Sequence, residues 1–60
     1  MKLYKVWVDY PKRTEGYFLT DSFKNLLLFE EYNDAAKYGA NYIEDLREHE
    51  EVLYIVYSVE

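Results

Sequence analysis

The chain contains no cysteine, so disulfide staples and cysteine-ligated zinc are both excluded. Proline occurs once, at Pro11, and glycine twice, at Gly16 and Gly39. Two isolated glycines cannot build a phosphate-cradling loop. Histidine occurs once, at His49, and no plausible His–Asp relay is read for Ser22, Ser58, Thr14 or Thr20. No apolar run approaches the length of a membrane-spanning helix. Met1-Lys2-Leu3 leads directly into an alternating stretch, so no signal peptide is expected and a cytoplasmic location is. Basic residues are scarce, with 7 Lys and Arg against 12 Asp and Glu and a net charge of −5.

Aromatic side chains are abundant instead. Of 60 residues, 8 are tyrosine, with Trp7, Phe18, Phe23 and Phe29 beside them. Tyrosine joins a large apolar ring to a polar tip, which suits the edge of a core or a contact surface. The composition is 50% hydrophobic and 32% charged, which is that of a folded chain rather than a disordered one. The length predicts a single domain over residues 1–60. Such a chain buries only about 60% of its unfolded surface, so it needs large core side chains or association to add stability.

Periodicity supplies the elements. Residues 3–10 alternate with period two, Tyr4, Val6, Val8 and Tyr10 on one face and Leu3, Lys5, Trp7 and Asp9 on the other. Pro11 ends that strand, because it has no N–H to donate. A polar turn over 11–16 leads to a short second strand, Tyr17 to Thr20, making a hairpin. Residues 21–31 are ambiguous. Asp21 or Ser22 suits a capped turn, and Leu26 to Phe29 suits a strand that continues or joins the hairpin.

From about 32 to 48, Tyr32, Ala35, Ala36, Gly39, Tyr42, Ile43 and Leu46 recur at helical spacing. Gly39 falls on that apolar stripe, which predicts a close approach to the sheet. Residues 52–59 form the last strand, with Leu53, Ile55, Tyr57 and Val59 on one face and Val52, Tyr54 and Val56 on the other. The expected fold is a two-layer β-β-α-β unit of class α+β. Its three-stranded antiparallel sheet has order 2-1-3, and one helix is packed on one face.

One helix covers one face of a sheet. The expectation is that Tyr4, Tyr10 and Tyr57 lie beneath it. Trp7, Tyr54, Val56 and either Tyr17 or Phe18 are then left on the open face as a protein interface. An apolar patch of this kind marks a contact surface. Its expected occupant is a second copy in a homodimer, ahead of a different partner protein and of residues 21–31 folding back over it.

Charge is unevenly distributed, +2 over residues 1–29 and −7 over residues 30–60. Glu44, Asp45, Glu48, Glu50 and Glu51 gather where the helix ends, against its dipole, and form a candidate acidic partner-binding surface. Spaced carboxylates can imitate a row of phosphates. Small acidic inhibitors of phages and mobile elements act in this way as a class, and the likeness here is one of size, charge and tyrosine content.

The expected function is therefore a non-enzymatic protein–protein interaction module. Its specific form is a DNA-mimic inhibitor that blocks a basic nucleic-acid-handling protein. The alternative is a nucleic-acid-binding module using Lys12 and Arg13 of the hairpin, Lys5, Lys24 and the sheet aromatics. The net charge opposes that alternative. Neither catalytic residues, a metal site nor a cofactor is expected. His49 among its glutamates reads as a solvated connection.

Overall fold

The computed structural model describes residues 2–13 and 15–59. Strand β1 spans Leu3–Asp9, β2 spans Gly16–Phe18, helix α1 spans Tyr32–Leu46 and β3 spans Leu53–Val59. The sheet is antiparallel in the order β2-β1-β3, with α1 packed against one face, a small α+β fold. The topology expected from the sequence is the one observed.

Register decides which side chains share a face. Val8 stands opposite Tyr54 and Val6 opposite Val56, while Trp7 stands opposite Ile55 and Lys5 opposite Tyr57. Directly opposed residues in an antiparallel pair point to the same side of the sheet. Val6 and Val8 are fully buried beneath the helix with Ala35 and Ile43, so Tyr54 and Val56 lie on the helix side with them. Tyr10, Leu19 and Val52 complete the buried core.

Helix α1 buries a narrow stripe of small and medium residues, Ala35, Gly39 and Ile43, spaced four apart. Gly39 is needed there. A Cβ at Gly39 would fall 2.9 Å from Cδ2 of Tyr54 and 3.0 Å from Cγ1 of Val6. The missing side chain lets the helix sit down on a tyrosine ring.

The helix begins without a side-chain cap at Glu31 and carries Asp34 in its first turn. Arg47 follows at its C-terminus, where a cation suits the dipole. The Arg47 Nε donates to the Val52 carbonyl at 3.0 Å, tying the end of the helix to the approach to β3.

Residues 19–29 continue the edge of the sheet beyond β2 with a turn inserted in it. Leu19 N donates to the Val6 carbonyl, and Leu27 N to that of Leu19. Phe29 and Tyr4 then exchange both backbone hydrogen bonds, at 2.8 and 2.9 Å. Between Thr20 and Leu26 the chain makes a side excursion. The Asp21 carboxylate accepts from the N–H groups of Phe23 and Asn25, at 2.8 and 3.0 Å. Lys24 adopts a left-handed conformation at φ 67°. Leu27 and Phe29 pack against the core on the helix side, where Phe29 meets Tyr38 at 5.4 Å between ring centres. Leu27 and Phe29 thus extend the edge of the sheet, with their side chains on the helix side.

Candidate interaction surface

The face of the sheet away from the helix is built in rows across the strands. The middle row is Phe18–Trp7–Ile55, flanked by Lys5–Tyr57 on one side and Gly16–Asp9–Leu53 on the other. Leu53, Ile55 and Tyr57 remain 42%, 40% and 44% exposed, because no second layer covers them.

The aromatic groups on this face are held in place by one another. The Trp7 and Phe18 rings meet edge-on at 4.7 Å, and Phe18 meets Tyr57 edge-on at 6.1 Å. Trp7 lies across Gly16. A Cβ at Gly16 would come 2.7 Å from Cζ2 of the indole and 2.5 Å from the Val8 carbonyl oxygen. The indole N–H donates a long hydrogen bond of 3.4 Å to the Asp9 carboxylate. The Lys5 ammonium sits 4.3 Å from the centre of the Phe18 ring. A shallow depression of about 350 Å³ lies among Lys5, Trp7, Phe18, Tyr57 and Ser58.

The expected interface residues separate. Trp7 and Phe18 lie on the open face as expected. Tyr54 and Val56 do not: they are placed under the helix by their pairing with Val8 and Val6. Tyr57 makes the opposite exchange and lies outside. Tyr17 pairs with Val8 and also belongs to the helix side. There its hydroxyl bridges those of Tyr10 at 3.3 Å and Tyr42 at 3.0 Å. Partial burial, then these two hydrogen bonds, raise the ionisation of Tyr17 well above the ordinary tyrosine value. Leu53 and Ile55, absent from the expected interface, stand in place of Tyr54 and Val56. The available signal was Gly39: a glycine in the helix stripe permits close approach to the sheet, and the group that approaches it is the Tyr54 ring.

The acidic set lies at the far end of the helix. Glu44, Asp45, Glu48 and Glu51 are exposed, whereas Glu50 is half-buried and pairs with Arg13 of the hairpin turn. Arg13 also lies over the Tyr10 ring at 4.7 Å. One of the five carboxylates is thereby neutralised, and so is one of the hairpin's two cations. Among the described residues no three His, Asp or Glu side chains converge as metal ligands. No helix there is long and apolar enough to cross a membrane.

No family model, curated protein or solved structure matches the chain.

Proposed function

We propose that this chain is a non-enzymatic protein-interaction module acting in the cytoplasm, with the uncovered sheet face as its association surface. The observation that carries this reading is the row Phe18–Trp7–Ile55 with Leu53 and Tyr57 beside it, an apolar aromatic surface without a covering layer. Surfaces of this kind, rich in Trp, Tyr and Phe and poor in charge, are where binding energy concentrates.

The specific form of the proposal is an inhibitor of a basic nucleic-acid-handling protein. Glu44, Asp45, Glu48 and Glu51 are the carboxylates that support it, since they are exposed at one end of the molecule. The pairing of Arg13 with Glu50 weighs against nucleic acid as the ligand, because it withdraws a cation from the hairpin turn.

Affinity capture with three baits tests the reading: the wild type, Ile55→Lys on the open face, and Glu44→Lys/Asp45→Lys/Glu48→Lys at the acidic end. The expected result is a basic protein held by the wild type and lost with the charge-reversed bait, then reconstituted from purified components. Tight, steeply salt-dependent binding of single-stranded DNA or RNA by the wild type would overturn it.

A further inference from the structure

Granted that the open face is a contact surface, we infer that its occupant is a second copy of this chain. The two copies are related by a two-fold axis lying in the interface and crossing the strands along the Phe18–Trp7–Ile55 row. The inference rests on how charge is placed on the face. Among the described strand residues there, only Lys5 and Asp9 are charged. They stand two residues before and two after Trp7 on the central strand, roughly 7 Å to either side of it.

Two sheets packed face to face by a two-fold axis have two simple arrangements. With the axis along the strands, Lys5 meets Lys5 and Asp9 meets Asp9, and like charges are buried against each other. With the axis across the strands at Trp7, the copies stack antiparallel. Lys5 of each then meets Asp9 of the other, giving two identical ion pairs, as an isologous interface requires. The same operation stacks the middle row on itself. It also sets the Lys5–Tyr57 row against the Asp9–Leu53 row, so that a large ring faces a smaller side chain.

Packed sheets lie about 10 Å apart and are turned by roughly 30°, which displaces groups 7 Å from the axis by about 4 Å. A lysine opposite an aspartate spans that geometry. Trp7 leaves room at the centre because it lies over Gly16.

The interface is small. Two strands of 7 residues and one of 3 offer a planar footprint of roughly 270 Å² per copy. A face-to-face pair then covers roughly 550 Å² of planar area in all, below the standard size for specific association. A dimer that dissociates on dilution follows.

Sedimentation equilibrium of the full chain tests this, with Lys5→Asp, Asp9→Lys, the double variant and Ile55→Lys, each checked for folding by circular dichroism. The wild type is expected at twice the 7.3 kDa chain mass. Each single charge reversal should weaken association about tenfold or more, and the double reversal should recover it. Ile55→Lys should abolish it.

A zero-length carbodiimide applied to a mixture of isotopically labelled and unlabelled wild type gives a second readout that needs no variant. Lys5 and Asp9 of one copy are roughly 13 Å apart along the strand, too far to join directly. A Lys5–Asp9 amide linking the two isotopic forms is therefore expected only from this dimer. A monomer at high concentration would overturn the inference, and so would a dimer indifferent to the single reversals or lacking that cross-link. A monomer that still captures a basic protein through its acidic end would overturn the inference while leaving the inhibitor form of the proposed function standing.

Discussion

Replacing Gly16 by alanine is expected to destabilise the protein, against the usual direction for such a change. Where the backbone tolerates a side chain, Gly→Ala stabilises by about 0.4–1 kcal/mol, because it restricts the unfolded chain. At Gly16 the added Cβ would lie 2.5 Å from the Val8 carbonyl oxygen and 2.7 and 2.9 Å from two atoms of the Trp7 indole. The indole can swing away, but the carbonyl belongs to the central strand. Relief requires β2 to move off β1, and overpacking of this kind costs about 1–3 kcal/mol.

A core of this size supplies only about 3–5 kcal/mol in total, so a loss near 2 kcal/mol removes roughly half. The melting temperature should fall by about 8–16 °C, at the 4–8 °C per kcal/mol typical of small domains. Thermal melting by circular dichroism and a denaturant titration measure the loss. Trp7 is the only tryptophan, so its emission reports whether the indole has left its place over Gly16. An unchanged or higher melting temperature with unchanged emission would show that Trp7 does not pack on this glycine.

Gly39→Ala should also cost stability, about 1 kcal/mol net by denaturant titration. Contacts at 2.9 Å with Tyr54 and 3.0 Å with Val6 outweigh a helix-propensity gain of about 1 kcal/mol. Tyr17→Phe should lower stability by about 1 kcal/mol at neutral pH through loss of two phenol hydrogen bonds. Tyr17 ionises higher folded than unfolded, so the stability linked to it is whole below the ordinary tyrosine value of 10.0 and drains away as pH rises above it. Alkaline unfolding followed by circular dichroism should therefore be less steep in the phenylalanine variant. Lys24→Gly should raise stability by about 0.5–1 kcal/mol in the same titration, since φ of 67° opposes a side chain. Asp21→Ala should speed amide exchange at Phe23 and Asn25, whose N–H groups it would leave without an acceptor in the turn.

The sequence and the fold agree where one periodicity dominates. Residues 3–9 alternate between apolar and mixed faces, and Tyr32 to Leu46 keep a single helical stripe, so strand, helix and sheet order could be read directly. The last strand has no such asymmetry. Leu53, Ile55, Tyr57 and Val59 are as apolar as Val52, Tyr54 and Val56, and a shift of one residue exchanges the two sets. Periodicity therefore could not say which set the helix covers.

Shape decides it. Gly39 opens a gap that the Tyr54 ring fills, and Val6 and Val8 bring Val56 and Tyr54 in beside them. The same ambiguity affected Tyr17 and Phe18, which differ only in a hydroxyl. That hydroxyl finds Tyr10 and Tyr42 on the helix side, which leaves Phe18 to Trp7 and Lys5. Residues 21–31 combine a polar turn with an apolar run, and the backbone pairings of Leu27 with Leu19 and of Phe29 with Tyr4 show that the run follows the sheet edge.

The excursion from Thr20 to Leu26 makes this fold a ready host for inserted sequence. The chain leaves the sheet edge and returns to it through a backbone bridge between those two residues, whatever lies between them. Phe23, near the tip, is 83% exposed. Doubling the length of such a loop costs only about 0.6 kcal/mol in closure entropy. The hairpin turn at the other end of β2 offers no such freedom, because Arg13 is engaged with Glu50 and the Tyr10 ring. A peptide grafted between Phe23 and Lys24 would be displayed from an exposed tip while the Thr20–Leu26 bridge keeps the sheet edge closed.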